Sequence, residues 1–422
     1  MRYVIIGFGC AGYCAARTIR QNDPDGIITV FSEHSYAPYN PMLTTYYAAG
    51  KIPFESLFPF GSLEDVTVSL RLDMHSNERV ASVAAASHEV VLDGGKRVGY
   101  DRLLIASGAS AFAPQIQGLS LEDVYFMRTV DDAVRIKNEL DKNVHNTALI
   151  VGASMVGIKV VELLNSRGVH TVLADMAPDI FPLAAYHDVS KEIERRITEK
   201  GVKLALGCSL VSAEKVSGGY NCRLSDGSSC TADLVVLCIG TRANISFVDP
   251  GEIRVNRGIV VDERMASSCP DVYAAGDCCE GQDLQSSTTM IIGLWANAAH
   301  QGTTAGANMT GVQADFDGNF LHNITHFMDM DFIGFGDNRL TGEILTSGDI
   351  RNGLFVEAVV KDHRLAGVNI LDNYRISGAI KNYLYRIMEK QDTEISPIQK
   401  GILIKEGLKP SFIEKLEGKF NA

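Results

Sequence analysis

The chain opens with the sequence MRYVIIGFGCAG at residues 1–12 and reaches ITVFSE at residues 28–33. The first residues form an apolar run without turn residues, which predicts a buried parallel strand. Gly7, Gly9 and Gly12 then indicate a sharp turn at which bare backbone can lie against a ligand. The residues after Gly12 have helical spacing, so the first amide groups of a helix would point at that ligand. A pyrophosphate suits this geometry.

An acidic residue completes the pattern. Glu33 ends the second predicted strand about 20 residues after Gly12, where a carboxylate can accept hydrogen bonds from a ribose. Strand, glycine loop, helix, second strand and acid therefore follow the order of a dinucleotide-binding fingerprint. The candidate loop contacts are Gly7, Gly9, Cys10, Ala11 and Gly12.

The same pattern occurs a second time in the middle of the chain. Residues 148–157 read ALIVGASMVG and residues 169–175 read VHTVLAD, which again predicts strand, glycine loop, helix and second strand. Ser154 replaces the middle glycine, so the backbone there would approach phosphates less freely. Two copies of one fingerprint are more specific than either alone, and they predict a second nucleotide site. Its candidate contacts are Gly152, Ser154, Met155, Val156, Gly157 and Asp175.

Asp175 bears on the kind of nucleotide. A carboxylate at the end of the second strand favours a free ribose 2′-hydroxyl and disfavours a 2′-phosphate. No arginine follows within two residues to accept such a phosphate. The sequence therefore favours NADH over NADPH at the second site.

Three further predicted strands end in small residues, which would let their loops approach a cofactor closely. They are GYDRLLIASG at 99–108, LVVLCIG at 234–240 and DVYAAGD at 271–277. Asp277 is a poor core residue, so it either caps a following helix or binds a ligand hydroxyl. The small residues from Trp295 to Met309 predict a helix packed tightly on a sheet or on a cofactor.

Elsewhere the patterns are less regular. Residues 36–47 are rich in proline and aromatic residues, which is typical of a functional loop or broken helix. Residues 66–72 and 80–92 alternate as antiparallel strands do. Residues 131–141 have helical spacing. The C-terminal part predicts strands at 355–360 and 365–370 and a helix at 376–388.

Composition limits the partners and the location. The 422 residues include 46% hydrophobic residues, enough for large cores, and carry a net charge of −12. Such an acidic chain argues against nucleic acid or an anionic membrane as the main partner. No uncharged apolar run is long enough to span a bilayer. The first apolar stretch is one strand long and runs into the glycine loop, so we interpret it as fold rather than targeting signal and expect a cytoplasmic protein.

The nine cysteines form no metal-binding pattern. No C-x-x-C occurs, and no Cys/His spacing matches a zinc or iron–sulfur site, so no metal is expected. In a reducing cytoplasm the cysteines are best interpreted as small apolar residues. A redox role for the adjacent residues Cys278 and Cys279 is the alternative.

Taken together, these motifs resemble the flavoprotein reductases with two dinucleotide-binding domains, the superfamily of glutathione reductase and the ferredoxin reductases. The resemblance covers essentially residues 1–380. It depends on both glycine loops with their acids, on YDRLLIASG at 100–108 and on VYAAGD at 272–277. The tracts YNPML at 39–43 and LWANA at 294–298 look most like NADH:rubredoxin reductases and, equally, the flavin/NADH part of nitrite reductase large subunits.

The resemblance implies an α/β fold with two Rossmann-like domains, the first for FAD and the second for NADH. The FAD-binding domain would be split between residues 1–115 and 243–312, with the NAD-binding domain at 116–242. Residues 313–422 would form a C-terminal α+β domain with a helical tail, which covers the flavin and often pairs two subunits.

The resemblance also implies which residues contact each cofactor. Asp277 would hold the ribityl chain of FAD, and the backbone amide of Val80 would lie near the adenine. NAD would contact Gly240 in addition to the second glycine loop and Asp175. The remaining FAD contacts would be Gly7, Gly9, Cys10, Ala11, Gly12, Glu33, Asn40, Pro41, Thr44, Thr45, Ala106, Ser107, Gly108, Gly276, Leu294 and Trp295.

Departures from the family pattern limit the chemistry. Disulfide reductases carry a C-x-x-x-x-C pair after the first unit, and peroxide or CoA-disulfide reductases carry one cysteine there. No cysteine lies between Cys14 and Cys208, so a thiol relay at that position is excluded. Ferredoxin reductases place a lysine near Thr45 and a glutamate after the second glycine loop, where this chain has Lys159. We hypothesise that Lys159 supplies a cation near the flavin; a surface lysine on an apolar helix is the alternative.

We therefore expect an enzyme that transfers hydride from NADH to FAD. Without a cysteine relay, the electrons would pass to a one-electron carrier protein or an iron–sulfur partner subunit, in a homodimer or a hetero-oligomer. Three alternatives stay open: an NADH oxidase that reduces dioxygen, a direct reductase of a small organic substrate, and a non-catalytic flavin-binding protein that responds to NADH.

Overall fold

The computed structural model describes residues 1–286, 288–389 and 394–419. It divides the chain into two compact units, each assembled from separate segments. The first unit contains Met1–Ala111, Arg128–Val130 and Thr241–Asn319, and the second contains Phe112–Met127, Asp131–Gly240 and Phe320–Ala422. The boundaries of the three implied domains stay a prediction.

The described residues form strands and helices, and three helices follow the last strand. The strands are β1 (Arg2–Ile6), β2 (Ile27–Ser32), β3 (Leu72–Ser76), β4 (Val80–Ala84), β5 (Glu89–Leu92), β6 (Arg97–Gly99), β7 (Arg102–Ile105), β8 (Ala109–Ala111), β9 (Val124–Tyr125), β10 (Thr147–Val151), β11 (His170–Asp175), β12 (Lys203–Leu206), β13 (Leu210–Val216), β14 (Gly219–Leu224), β15 (Ser229–Ala232), β16 (Leu234–Leu237), β17 (Thr241–Ala243), β18 (Ile259–Val260), β19 (Val272–Ala274), β20 (Cys279–Gln282), β21 (Thr289–Met290), β22 (His322–Phe327), β23 (Met330–Phe335), β24 (Glu343–Gly348), β25 (Phe355–Lys361) and β26 (Arg364–Leu371). The helices are α1 (Cys10–Asn22), α2 (Thr44–Ala48), α3 (Leu63–Leu70), α4 (Val130–Lys142), α5 (Met155–Ser166), α6 (His187–Glu199), α7 (Trp295–Met309), α8 (Ser377–Met388), α9 (Pro397–Lys405) and α10 (Pro410–Leu416). None of the described helices combines the length and apolar character that crossing a bilayer requires.

The first unit is built on a five-stranded parallel sheet in the order β19-β7-β1-β2-β3. Ile5 of β1 pairs with Val30 of β2 on one side and with Leu104 of β7 on the other. All three side chains are buried, which explains the apolar run at the beginning of the chain. The order of the strands reverses between β1 and β7, and sheets of this kind bind ligands at the carboxyl ends of the strands at that point.

Helices α1 and α7 pack closely within the first unit. A Cβ atom on Gly302 would lie 2.2 Å from the Ala11 carbonyl oxygen, and one on Gly306 would lie 2.7 Å from the Ala15 carbonyl oxygen. Helix α7 also contacts β7 and β19 of the sheet, as predicted. The small residues of α7 therefore serve a close helix–helix contact in addition to packing on the sheet.

The described residues of the second unit form three sheets. A five-stranded parallel sheet has the order β12-β11-β10-β16-β9, a small antiparallel sheet has the order β13-β14-β15, and a larger antiparallel sheet has the order β22-β23-β26-β25-β24. Strand β10 pairs with β11 and β16, just as β1 pairs with β2 and β7 in the first unit. The two fingerprints therefore occupy equivalent positions in their sheets. These parallel sheets confirm the predicted α/β fold with Rossmann-like units.

One predicted strand is wrong. Residues 66–72 were expected to be extended, but residues up to Leu70 belong to helix α3. Ser62 begins this helix with a capping box, since its hydroxyl accepts a hydrogen bond from the Asp65 N–H and the Asp65 carboxylate accepts one from the Ser62 N–H. A short alternating pattern is compatible with either structure. The strands expected at 80–92, 355–360 and 365–370 and the helices expected at 131–141 and 376–388 are confirmed with small shifts in their bounds.

Candidate nucleotide-binding sites

The first glycine loop connects β1 to α1 at the point where the strand order reverses. Gly7 has a φ of +95°, and a Cβ atom there would lie 2.3 Å from the Ala106 carbonyl oxygen. A Cβ atom on Gly12 would lie 2.2 Å from the Gly7 carbonyl oxygen. Both glycines are therefore required by the packing of the loop itself.

Gly9 differs from its two neighbours in the motif. It precedes α1 with a φ of −80°, and its side-chain position is open, since no atom lies within 4 Å of where a Cβ would be. No side chain caps the helix that follows. The loop thus presents the first backbone N–H groups of α1, at Cys10 and Ala11, beside an open space at the positive end of the helix. This cradle fits a pyrophosphate.

The loop after β7 lies at the same edge of the sheet and is held by Asn244. The Ser107 hydroxyl donates a hydrogen bond to the Asn244 carbonyl oxygen at 2.6 Å, and the Asn244 side-chain amide donates one to the Ser107 carbonyl oxygen at 3.0 Å. Gly108 follows with a φ of +68°. Asn244 was not predicted, because nothing in the linear pattern pairs it with a residue so distant in sequence.

Asp277 forms an ion pair with Arg128. The Arg128 guanidinium donates to the Asp277 carboxylate at 2.6 Å and to the Ala109 carbonyl oxygen at 3.0 Å. Strand β20 follows Asp277, so the alternative that Asp277 caps a helix is wrong. The sequence did not reveal Arg128 as the partner of Asp277, since a single arginine between predicted elements carries no signal.

The proline-rich tract after Glu33 was predicted to be a functional loop or a broken helix. It contains a broken helix. A 3-10 turn at Pro41–Leu43 runs into α2. The Asn40 side chain accepts a hydrogen bond from the Met42 N–H at 3.0 Å, and the Thr44 hydroxyl donates to the Pro41 carbonyl oxygen at 2.8 Å. Thr45 is buried. These residues organise the tract, and their contact with a flavin stays a prediction, as does that of Val80, which lies in β4 opposite Leu92.

Three aromatic rings form a stack in the first unit. The rings of Tyr13 and Phe60 lie 4.0 Å apart between centroids, and those of Phe60 and Trp295 lie 5.9 Å apart. Trp295 begins α7, directly after Leu294. Its indole N–H is buried and has no hydrogen-bond partner among the described residues. A buried donor of this kind is compatible with a polar ligand atom beside the stack.

The second glycine loop connects β10 to α5 in the second unit. Gly152 has a φ of +110°, and a Cβ atom there would lie 2.3 Å from the Cys238 carbonyl oxygen. A Cβ atom on Gly157 would lie 1.9 Å from the Gly152 carbonyl oxygen. The two loops therefore share their first and last glycines for the same steric reason.

Ser154 distinguishes the second loop from the first. Its hydroxyl accepts a hydrogen bond from the Gly157 N–H at 3.3 Å and donates one to the Cys238 carbonyl oxygen at 3.2 Å. The serine side chain thus caps α5 and occupies one of its first amide groups. The first-turn amides of Met155 and Val156 are the ones left for a phosphate, which agrees with the expectation of a less open loop.

Asp175 ends β11 and is tied to the glycine loop. Its carboxylate accepts hydrogen bonds from the Ala153 N–H at 2.6 Å and from the Ala177 N–H at 2.8 Å. A carboxylate has about four acceptor positions, so these bonds orient it and leave capacity for ribose hydroxyls. Gly240 follows β16 with a φ of +97°, and its carbonyl oxygen accepts from the Phe112 N–H at 2.9 Å.

The chain that carries these two glycine loops and two acids is similar to known proteins. The model of the pyridine nucleotide-disulphide oxidoreductase family matches residues 1–302. The chain belongs to this family. It is an FAD-dependent NADH oxidoreductase, and the predicted cofactors, FAD and NADH, are confirmed.

Several proteins are similar to this pyridine nucleotide-disulphide oxidoreductase. An NADH oxidase of Methanocaldococcus jannaschii is 30% identical over 324 residues, which cover 75% of this chain and 71% of the relative. Subunit epsilon of the NADH-dependent phenylglyoxylate dehydrogenase of Aromatoleum evansii is 25% identical over 405 residues, which cover 94% and 93%. A solved ferredoxin reductase from Rhodopseudomonas palustris has a TM-score of 0.84 at 20% identity and covers 96% of this chain and 100% of that chain. The structural likeness shows the fold.

Glu33 of this family member lies at the carboxyl end of β2, as expected of the acid in the first fingerprint. Its side chain is 60% exposed and is 3.4 Å from the Arg79 guanidinium. An exposed ion pair of this kind contributes little free energy. The carboxylate could therefore exchange this partner for a ribose hydroxyl at small cost, and its contact with FAD stays a prediction.

Lys159 is partly buried in the second unit. Its side chain is 12% exposed and forms an ion pair with Glu162 on the next turn of α5. Its ammonium group also donates to the His326 carbonyl oxygen at 2.9 Å. The positive charge of Lys159 is thus compensated within the second unit, and its proximity to a flavin stays a hypothesis.

Cys278 and Cys279 are packed in the interior of the first unit. The Cys278 thiol donates to the Ile105 carbonyl oxygen at 3.3 Å, and the Cys279 thiol donates to the Gly276 carbonyl oxygen at 3.3 Å. Burial raises the pKa of both thiols, so both remain protonated at neutral pH. These contacts favour the interpretation as small core residues. Among the described residues, no group of three or more His, Cys, Asp or Glu could hold a metal ion.

The Arg128–Asp277 pair leads to a prediction about stability. We expect Arg128→Met to lower the free energy of unfolding by about 1–3 kcal/mol, because a partly buried carboxylate loses a charged hydrogen bond. FAD retention should fall with it, measured by absorbance after gel filtration. Arg97→Met is the matched control, since Arg97 forms an exposed ion pair with Glu89 at 2.8 Å, and its loss should change stability by under about 1 kcal/mol. If Arg128→Met and Arg97→Met lowered the free energy of unfolding and FAD retention equally, the Arg128–Asp277 pair would contribute no more than an exposed ion pair.

Proposed function

We propose that this chain is an NADH:acceptor oxidoreductase that passes electrons to a one-electron carrier protein or an iron–sulfur partner subunit, without a cysteine relay. The observation that carries this proposal is the sequence between Cys14 and Cys208, which contains no cysteine. Enzymes of the disulfide reductase type, which pass electrons from the flavin through a protein thiol, need a cysteine in that interval. Electrons from NADH must therefore leave by another route.

Residues of the two units would hold the cofactors separately. The open cradle at Gly9 and the N–H groups of Cys10 and Ala11 would bind the FAD pyrophosphate. The Asp277 carboxylate, oriented by Arg128, would bind the ribityl chain. The chemistry that FAD supplies when bound is acceptance of a hydride and release of electrons one at a time.

The second unit would hold NADH through the amides that Ser154 leaves accessible and through Asp175. The two backbone hydrogen bonds to Asp175 fix its carboxylate before the nucleotide arrives. A pre-oriented acceptor loses little conformational entropy on binding. The chain thus contributes position and electrostatics, and no side-chain nucleophile is required.

The names of similar proteins support a protein acceptor. The Aromatoleum evansii relative, which aligns over nearly the whole chain, is a subunit of a larger NADH-dependent dehydrogenase. The Rhodopseudomonas palustris structure is a ferredoxin reductase. We infer a partner of the same class, a small redox protein or an iron–sulfur subunit, in a hetero-oligomer or bound transiently to a homodimer.

An NADH oxidase is the second candidate, favoured by the name of the Methanocaldococcus jannaschii relative. The two functions differ in how quickly the reduced enzyme reacts with air. The holoenzyme should be reduced anaerobically with NADH and mixed in a stopped-flow instrument with air-saturated buffer. We expect reoxidation at least tenfold slower than turnover with ferricyanide as a one-electron acceptor. Reoxidation by air at the turnover rate would overturn the proposal in favour of an oxidase.

Lys159 offers a separate prediction. If it stabilises the negative charge that the flavin gains on reduction, Lys159→Met should lower the flavin midpoint potential and slow anaerobic reduction by NADH about tenfold, or about 1.4 kcal/mol. The substitution also leaves the Glu162 carboxylate without its ammonium partner. The double variant Lys159→Met with Glu162→Gln separates the two effects, since it should recover stability and keep the altered potential. An unchanged potential in both variants would remove Lys159 from the catalytic residues.

A further inference from the structure

Two cysteines face each other across a hairpin in the second unit. Strands β14 and β15 are antiparallel, and Cys222 lies directly opposite Cys230. A tight turn joins the strands: the Asp226 carboxylate accepts from the Ser228 N–H at 2.9 Å, and Gly227 has a φ of +87°. The Leu224 N–H donates to the Ser228 carbonyl oxygen at 2.9 Å. The pairing of the two cysteines is therefore determined locally by the turn.

The geometry of an antiparallel pair suits a disulfide. Directly opposed residues have Cα atoms about 4.5 or 5.5 Å apart, depending on the type of pair. Both values fall within the range of about 4.4–6.8 Å found for disulfides. Opposed side chains also point to the same face of the sheet.

We propose that Cys222 and Cys230 form a reversible dithiol–disulfide site, separate from the flavin and nicotinamide chemistry, that exchanges with low-molecular-weight disulfides such as oxidised glutathione. This site does not depend on the identity of the electron acceptor. It adds a covalent modification to the β13-β14-β15 sheet, which packs against the core of the parallel sheet of the same unit.

The two thiols have different roles in the exchange. Cys230 is partly exposed, whereas Cys222 is fully buried. The adjacent Cys222 thiol, together with the nearby Lys203 ammonium, lowers the pKa of Cys230. The adjacent Cys230 thiol and burial raise the pKa of Cys222. Cys230 is therefore the thiol that reacts first, since the thiolate is the nucleophile.

The reaction balances in two displacements. The Cys230 thiolate attacks one sulfur of the external disulfide, which forms a mixed disulfide and releases one thiolate. Cys222 then loses its proton and attacks the Cys230 sulfur, which forms the protein disulfide and releases the second thiolate. The two protons from the protein thiols go to the two released thiolates. The protein dithiol is oxidised by two electrons, and the external disulfide is reduced to two thiols.

Cys208 provides a matched control. It is buried in the same apolar core, and its thiol donates to the Ala205 carbonyl oxygen at 3.1 Å. It lies before β13 and has no cysteine opposite it in the paired strands. We expect Cys208→Ser to leave the oxidation of Cys222 and Cys230 unchanged.

The test incubates the native holoenzyme with oxidised glutathione at neutral pH, then denatures it in iodoacetamide and digests it for mass spectrometry. The wild type should lose two alkylatable thiols and yield a Cys222–Cys230 cross-link that dithiothreitol reverses. Cys222→Ser should trap Cys230 as a mixed disulfide with glutathione, and Cys230→Ser should leave Cys222 unmodified. FAD absorbance and circular dichroism check that each variant is folded.

Two results would overturn the proposal. The first is a wild-type protein in which Cys222 and Cys230 are oxidised by glutathione disulfide only if the protein is denatured before the incubation, which would make them buried core residues only. The second is a Cys230→Ser variant in which Cys222 reacts with glutathione as quickly as Cys230 does in the wild type. Because the first result needs no variant, the test holds even where a substitution prevents folding.

Discussion

Gly9→Leu is expected to give a folded protein that has lost its yellow colour. The Gly9 backbone has a negative φ, and no atom lies within 4 Å of the Cβ position, so a Cβ at this position meets no atom of the protein. The added side chain would instead fill the space beside the first amide groups of α1, where the pyrophosphate would lie. We expect FAD affinity to fall at least a hundredfold, or about 2.7 kcal/mol, and NADH turnover to fall with FAD occupancy.

The measurement is the ratio of flavin absorbance to protein after gel filtration, followed by titration of the apoprotein with FAD. Gly94→Leu is the matched control, because Gly94 also has no atom within 4 Å of its Cβ position but lies in the turn after β5. This control should bind FAD as the wild type does. A Gly9→Leu protein with full FAD content would mean that the first glycine loop does not bind the cofactor.

The second large effect concerns the choice between NADH and NADPH. Asp175→Ala removes a carboxylate that favours a free 2′-hydroxyl. Met176 follows it and is 75% exposed, so Met176→Arg can place a guanidinium where a 2′-phosphate would lie. For the double variant we expect the ratio of kcat/KM for NADH to that for NADPH to fall at least a hundredfold, or about 2.7 kcal/mol. Steady-state kinetics with ferricyanide as acceptor provide both constants.

Asp175→Ala alone should reduce kcat/KM for NADH without creating a good NADPH enzyme, because it removes the carboxylate and its two backbone hydrogen bonds and supplies no group that binds a 2′-phosphate. Asp141→Ala is the control, since Asp141 is an exposed carboxylate of the same unit that pairs with Lys137 and Arg167. The control should keep the wild-type preference. A double variant that still prefers NADH by the original ratio would show that Asp175 does not contact the ribose.

Local patterns allowed much of the fold to be predicted. The two glycine loops, the strands before them and the acids after them were found because each feature depends on residues close in sequence. The steric reasons are also local: a Cβ on Gly12 would meet the Gly7 carbonyl oxygen within the same loop. The helix at residues 63–70 was missed, although the capping box at Ser62 and Asp65 was a signal that could have revealed it.

Contacts between distant residues could not be predicted in the same way. The Arg128–Asp277 ion pair and the Ser107–Asn244 hydrogen bonds each join segments from different parts of the chain. The ion pair of Lys159 with Glu162 was within reach of the helical spacing, whereas its hydrogen bond to the His326 carbonyl oxygen was not. That second contact depends on how the antiparallel sheet packs on α5.

The sequence by itself determined that this chain contains two dinucleotide-binding units and lacks the cysteine of a thiol relay, because glycine geometry, strand periodicity and residue identity act over short distances. Only the tertiary structure decided which charges compensate one another. It turned Ser154 inward to cap α5, paired Asp277 with Arg128, and brought Lys159 against the His326 carbonyl oxygen. Electrostatic interactions and side-chain direction depend on neighbours that folding brings together, and no linear pattern records them.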